Sequence, residues 1–425
     1  MELNMGDTAW MIIATAMVFL MTPAIALFYG GMVRSKNVLN IIMQCLFIAG
    51  IITLEWVILG YSLAFSGDIG GVIGNLDKVF LAGIGSNLVE GGSIPELVFV
   101  AFQCMFAILT PAIMIGSVAE RMQFKSMVLF ATLWAVLLYN PMAHWVWGGG
   151  FLDELGALDF AGGIVIHILS GVSGLTLCIL LGTRHGYGKM AMLPHNLPMM
   201  MLGASLLWFG WFGFNAGSAG GVNFVAANAL LVTHIAAASG IVGWVAVEWL
   251  KDGKPTVLGA ASGAVSGLVS ITPGAGFIAP LPAIIVGLLG GLICYFAVAK
   301  LKARLGYDDT LDAFGIHGMG GTWGAVATGL FASLEVNPDG ANGLVYGSAD
   351  LLYAEVISTV IAYAFAVLGT VIIYKLIAAF LAMRVKKNAE VNGLDQHEHA
   401  ESAYVSPLMG GMVTNGSLAS QILVK

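Results

Sequence analysis

The sequence predicts an all-α polytopic membrane protein of eleven transmembrane helices, an inverted five-helix repeat with one helix added. Three observations carry that prediction. The 425 residues are 58% hydrophobic and only 10% charged, with a mean hydropathy of +0.90, against about 25% charged in a soluble domain. Apolar runs of about 20 residues, the length that crosses a bilayer as a helix, recur along the whole chain. The pattern H-x-x-x-G-x-x-G appears twice, as His167-Gly171-Gly174 and His317-Gly321-Gly324, both times in apolar surroundings.

Reading apolar runs against charged gaps places spans over 8–29, 38–65, 95–118, 126–145, 160–182, 197–215, 224–250, 256–271, 281–299, 313–333 and 350–383. The first follows an N-terminus (Met1 to Gly6) that lacks the basic segment of a secretory signal, so it is expected to stay as a helix. The 57 glycines do not argue against helices here; in a bilayer small residues let helices approach closely. Orientation follows from the basic residues. Arg34 and Lys36, Arg121 and Lys125, Arg184 and Lys189, Lys251 and Lys254, and Lys300, Lys302 and Arg304 fall in alternate loops, and Arg384, Lys386 and Lys387 follow the last span. The other loops hold acids and, among bases, only Lys78. The positive-inside rule then puts the N-terminus outside and the C-terminus in the cytoplasm, as an odd number of spans requires.

On that orientation the fifth and tenth spans run in opposite directions, and both carry the histidine pattern. Each also opens on a similar string of Asp, Phe and Gly, Asp159-Phe160-Ala161-Gly162 and Asp312-Ala313-Phe314-Gly315. A repeat read in opposite directions is the mark of inverted architecture, with the site near the midplane between halves. The expected organisation is a transmembrane domain over 1–383, with halves at about 8–182 and 197–333 and an added helix at 350–383. A cytoplasmic tail over 384–425 follows, docked in its first part and loose in its Gly/Ser-rich end beyond Tyr404.

An ionisable side chain inside a bilayer is costly and marks a pathway or site. One such histidine could equally be a core residue bonded to a neighbouring helix. Two at matched positions favour a lined route for a small protonatable solute, since a neutral imidazole offers one donor and one acceptor. The spacing puts each histidine and its two glycines on one helical face, so that another helix can approach beside the ring. Near the outer interface, His144-Trp145-Val146-Trp147 and the run Trp208, Trp211, Phe212, Phe214, Asn215, Ser218 supply aromatic faces and a hydroxyl. Tryptophan faces attract small cations, although interfacial tryptophans are also ordinary. Phe102 and Phe106 share a face as a gate or as plain packing. Asp159 reads as a carboxylate capping a helix start and shaping the site.

Other classes are disfavoured. The four cysteines, Cys45, Cys104, Cys178 and Cys294, lie in apolar segments without metal spacing and read as buried free thiols. A membrane enzyme using the histidines as haem ligands would need an open helical cleft, and one using them as metal ligands would need carboxylates or thiolates that are missing near them. No soluble catalytic domain is present, so no enzyme, cofactor, metal or nucleic-acid partner is expected. Glu55, deep in the second span, and His234, in the seventh, read as structural contacts at helix or subunit interfaces.

Several strings then identify a resemblance: Phe28-Tyr29-Gly30-Gly31, Ala119-Glu120-Arg121, Gly156-Ala157-Leu158-Asp159-Phe160-Ala161-Gly162-Gly163, Pro194-His195-Asn196-Leu197-Pro198 and Gly210-Trp211-Phe212-Gly213-Phe214-Asn215-Ala216-Gly217-Ser218. Over nearly its whole length the chain resembles the ammonium transporter family (the Amt/Mep/Rh group), above all its bacterial and archaeal Amt members. The resemblance implies Trp147, Ser218, Phe102 and Phe106 at an outer ammonium site with Asp159 as its stabiliser. It further implies Phe106 and Phe214 as a stacked gate, and His167 and His317 as the pore pair. It implies a homotrimer with one pore per subunit, in the cell membrane. Gly393-Leu394-Asp395, His399, Glu401, Ala403 and Tyr404 resemble the family's tail motif, with Ala400 where glycine is more usual. In relatives that region takes part when a PII-type (GlnK-like) regulatory protein blocks the pore exits. The function implied is recruitment of ammonium outside, its deprotonation, and conduction of ammonia past two histidines with net proton transfer to the cytoplasm. The alternatives are a passive ammonia gas channel, or an ammonium sensor signalling through its tail.

Overall fold

The structure, a computed structural model, describes residues 2–404. Its described residues form helices joined by loops, with strand-like pairing only in isolated bridges. Among the described residues ten helices are long and apolar enough to cross a membrane: α1 (Met5–Met32), α2 (Val38–Phe65), α3 (Glu96–Val118), α4 (Phe124–Glu154, interrupted at 148–150), α5 (Gly163–Leu181), α6 (Leu197–Gly217), α7 (Phe224–Asp252), α8 (Val257–Gly274), α9 (Pro280–Leu305) and α11 (Asp350–Ala378). Between the last two lies α10, built from Phe314–Gly318 and Met319–Phe331. It is as long as the shortest of the others but richer in glycine.

Polar residues stop and start the helices where hydropathy is silent. The Asn4 side chain accepts from the N–H groups of Gly6 and Asp7, so α1 begins three residues before the apolar run. Asn196, Asn223 and Thr256 cap α6, α7 and α8 in the same way. Gly253 and Gly306, both at positive φ, end α7 and α9. The last span stops at Ala378 rather than 383. There the chain turns back so that Gln123 N–H bonds the Met383 carbonyl and Val385 N–H bonds the Arg121 carbonyl, each at 3.0 Å.

α1 packs chiefly on α6, α7 on α8 and α9, and α5 on α10, with α11 lying against both α5 and α10. Small residues allow these approaches: a Cβ added to Gly203 of α6 would fall 2.3 Å from the Phe28 backbone nitrogen in α1. All four cysteines are free and buried.

Several of the basic loop residues are buried and paired rather than solvated. Arg121 is fully buried and donates to the carbonyls of Ser117, Gly182 and Asp308. Glu120, also buried, pairs with Arg34 and Arg184 at 2.9 Å each, and Arg184 pairs with Asp308 at 2.7 Å. Burial alone would raise the Glu120 and Asp308 carboxyls. The Arg34 and Arg184 hydrogen bonds and charges outweigh it and hold both below the ordinary carboxylate range. This cluster ties together the loops after α1, α3, α5 and α9.

The first part of the tail is docked. Two short helices follow, α12 (Lys387–Asn392) and α13 (Leu394–His399); α13 lies against the start of α2, and α12 packs on α13. Leu394 N–H donates to Asn37 Oδ1 at 2.9 Å, and Asp395 Oδ1 accepts from Asn40 N–H at 2.8 Å. His195 Nε2 meets the Tyr404 hydroxyl at 2.8 Å. Ala400 has φ +57°, the left-handed conformation that glycine adopts without strain. The alanine is thus tolerated in a turn built for glycine. The end expected to be loose, 405–425, lies outside the described residues.

Candidate functional site

Two helix starts build the site. Before α5, the Asp159 carboxylate accepts four backbone N–H groups: Gly162 at 2.9 Å, Gly163 at 2.5 Å, Ile164 at 2.7 Å and Val165 at 3.1 Å. Those are the donors a helix leaves unpaired at its first turn. Before α10, Asp309 accepts from Ala313 N–H at 3.2 Å and Phe314 N–H at 2.8 Å. Asp312, which opens the string similar to that of Asp159, instead bonds Lys302 at 2.7 Å. Asp309 is the counterpart: it stands eight residues before its histidine, as Asp159 does. The similar strings mislead because a helix start needs its acceptor at the right distance along the chain, not beside a phenylalanine.

Both histidines sit in a π-helical turn, His167 in Gly163–Ile168 and His317 in Phe314–Gly318. Such turns are uncommon and gather at functional positions, and no hydropathy pattern predicts them. The two rings meet: His317 Nδ1 lies 3.2 Å from His167 Nδ1. One nitrogen must donate and the other accept, so the contact holds a single proton. His167 Nε2 is buried without a hydrogen-bond partner among the described residues. The first glycine of each pattern makes the meeting possible. A Cβ on Gly171 would fall 2.3 Å from Gly318 N, and one on Gly321 would fall 3.0 Å from His167 Cβ. The second glycines face elsewhere, Gly174 toward Ser117 and Gly324 toward Ser270.

A line of rings leads away from the pair. His167 stacks 6.0 Å from Phe214, and Phe214 meets Phe106 edge-on at 4.6 Å and 75°. Phe106 meets Phe102 at 4.8 Å and 81°, and Trp147 at 6.3 Å. The expected stack of Phe106 on Phe214 is therefore an edge-to-face contact, the arrangement the ring quadrupoles favour. Beyond the rings opens a cavity of about 190 Å³ whose lining includes Phe102, Gln103, Phe106, Trp147, Phe160 and Ser218. Trp147 Nε1 donates to the Asp159 carbonyl at 2.7 Å, so one residue fixes both the start of α5 and the cavity wall. The Asp159 carboxylate lies behind that wall, engaged on both oxygens. Ser218 Oγ donates to the Phe214 carbonyl at 2.8 Å, leaving its lone pairs for the cavity.

Not every expected aromatic joins. Trp145 turns away to bond the Val72 carbonyl and pack on Phe365. Trp208 and Phe212 flank the exposed ring of His234 on the outside of the helix bundle. Trp211 lies 5.6 Å from His167 and is held by Thr272 Oγ1 at 2.9 Å. Asn215 bonds Thr233 in the core. Glu55 accepts from Asn140 Nδ2 at 2.7 Å between α2 and α4, away from the line of rings. Sequence reasoning missed Gln103, whose buried Oε1 has no partner among the described residues. A lone amide between Phe102 and Phe106 in an apolar span was the available signal. No group of three or more metal-ligating side chains occurs among the described residues.

The sequence profile described as Ammonium Transporter Family matches residues 9–404. An ammonium transporter of Bacillus subtilis (strain 168) is 50% identical over 403 residues, covering 95% of this chain and 99% of the relative. The crystal structure of Candida albicans Mep2 superposes with a TM-score of 0.85 at 33% identity, over 91% of this chain and 87% of that one. A solved protein titled "Sensor Amt Protein" superposes with a TM-score of 0.86 at 28% identity, over 93% of this chain and 98% of that one.

Proposed function

We propose a transport cycle for this chain from one premise: the chain belongs to the ammonium transporter family. Proteins of this family are transporters rather than enzymes, and their substrate is ammonium. In the proposed cycle the ion enters the cavity of Trp147, Phe102, Phe106 and Ser218, where ring faces attract the cation and the hydroxyl accepts a hydrogen bond. Taking it further intact would cost of order 20 kcal/mol in an idealised apolar medium, whereas a neutral amine costs a few kcal/mol. The ion therefore gives up its proton to water in the cavity, at the edge-on pair Phe106 and Phe214. Ammonia passes between these rings to His167 and His317, which replace lost water contacts with one donor and one acceptor at a time. Sodium and potassium cannot shed a proton and are rejected at the same step. On the far side ammonia takes up a proton from water, and the proton shed in the cavity crosses separately, handed on through the His167–His317 contact, which gives net proton transfer to the cytoplasm. Asp159 acts as a positioning residue through the start of α5 and the Trp147 indole.

The observation that carries this reading is the 3.2 Å contact between two imidazoles from separate helices, at the end of an unbroken line of rings. The proposed frame is a transmembrane domain over 1–383, with inverted halves at about 8–182 and 197–333 and an added last helix. The N-terminus lies outside, and the tail over 384–425 is cytoplasmic. Assembly as a homotrimer and a PII-type partner at the cytoplasmic face rest on the family resemblance alone.

Reconstituted into liposomes, the protein is expected to give a saturating ammonium-evoked current that sodium and potassium do not evoke. Ammonia flux without current would leave a passive gas channel. A second reading, an ammonium sensor, draws support from the docked tail and from the likeness to the protein titled as a sensor. Removing residues 384–425 separates the two: a transporter keeps its uptake, a sensor loses its signal.

A further inference from the structure

We propose that the cleft between the loop after α5 and the first turn of the tail binds a phosphate compound of nucleotide size. The cleft encloses about 690 Å³ and is lined on one side by His185, Tyr187 and Lys189 and on the other by Arg384, Lys387 and Glu390. That volume falls within the range of small-molecule sites, about 300–1,000 Å³.

Its charges are unevenly satisfied. Arg184 is neutralised by Glu120 and Asp308, and Arg384 by Glu390 at 2.8 Å. Glu390, the one acid in the lining, is fully engaged, because its other oxygen accepts from the His185 N–H at 2.5 Å. Neither Lys189 nor Lys387 enters a salt bridge among the described residues, and the His185 ring is exposed beside them. In a chain of net charge −7, this cleft therefore gathers two unpaired ammonium groups and one imidazole with no acid left to meet them.

Compact ammonium groups bind phosphate as point charges. A ligand carrying two or more phosphates would touch Lys189 on the loop and Lys387 on the tail at once, fastening the tail to the membrane domain. Loop and tail are already tied by Arg384 donating to the Thr183 and Leu181 carbonyls at 2.8 and 3.0 Å, so the ligand would reinforce an existing joint. The inference does not depend on the transport cycle, since none of these residues lines the cavity or the line of rings.

The test is calorimetric titration of ATP into the purified full-length protein, with orthophosphate as the small-anion probe. Saturable ATP binding is expected, weaker for orthophosphate and weakened by salt. Lys189→Ser with Lys387→Ser should weaken it by about tenfold or more, as loss of two charge-assisted contacts implies, and Lys→Arg at both positions should restore it. ATP should also slow amide exchange over residues 384–399 in the parent protein and not in the serine variant. Absence of saturable ATP binding, or binding that survives the serine substitutions, overturns the proposal. Displacement of ATP by nanodiscs of phosphatidylglycerol, and not of phosphatidylcholine, keeps the phosphate site and assigns the phosphate to a lipid headgroup. Ammonium uptake by the serine variant is expected to match the parent, so a failure of the transport reading would show separately.

Discussion

Asp159→Asn removes one carboxylate oxygen and leaves the backbone untouched. In the parent, Oδ1 accepts from Gly162 and Gly163, and Oδ2 from Ile164 and Val165. An asparagine can keep one oxygen in place, but its amide nitrogen then turns hydrogens toward the other two N–H groups. Two buried donors lose their acceptor, at about 1–3 kcal/mol each, so the variant should lose about 2–6 kcal/mol. Asp159→Ala strands all four and should lose about 4–12 kcal/mol, comparable to the whole stability of a typical domain at about 5–15 kcal/mol. Asp309 provides an internal control, because each of its oxygens accepts only one helix-start N–H. Asp309→Asn strands one donor and should cost about half as much as Asp159→Asn. Thermal unfolding of the purified variants in detergent measures the order. It should run parent, Asp309→Asn, Asp159→Asn, with Asp159→Ala failing to fold. Asp159→Asn should also lose ammonium uptake at temperatures where it stays folded, because loosening the start of α5 shifts the Asp159 backbone carbonyl that the Trp147 indole bonds. An Asp159→Asn protein that melts with the parent would refute the argument that the carboxylate holds the helix start.

His167→Ala or His317→Ala should change flux or selectivity while leaving the melting temperature within a few degrees, as read by uptake of ammonium against potassium; loss of folding in both would return the pair to a packing role. Trp147→Leu should weaken uptake at low ammonium far more than maximal uptake, because it removes a cation-attracting face without touching the histidines, and an equal loss at both extremes would count against recruitment. The Glu120 and Asp308 carboxyls are held below the ordinary range. The stability they contribute is thus fully present above about pH 4 and lost as pH falls through their lowered folded values. Unfolding midpoints should therefore be level from neutrality to about pH 5 and fall below about pH 4. Glu120→Gln should forfeit about 3–5 kcal/mol even at neutral pH by leaving Arg34 and Arg184 without that partner.

Much of the architecture was legible in the chain because a bilayer imposes a simple rule: long apolar runs become helices, and every expected span has a helix in its place. The errors fall where polar groups decide. The last helix stops five residues early because Met383 and Val385 are needed for bonds to Gln123 and Arg121. Arg121 and Arg184 look like loop charges in one dimension and are buried in three. The candidate site was readable in the residues with unusual chemistry for their surroundings, His167, His317 and Trp147, and in long motif strings. It was not readable in Gln103, nor in the true partner of Asp159.

By itself the sequence determined that this is a membrane-spanning helical protein, that two histidines lie within its apolar interior, and that aromatic side chains cluster in the spans near them. Those properties depend on composition and local periodicity, which each segment carries alone. Tertiary structure decided which rings form the line to the histidines, that two π-turns bring Nδ1 to Nδ1, and that Asp309 rather than Asp312 answers Asp159. Each of these depends on the distance and angle between segments remote in the chain, and helical periodicity sets neither.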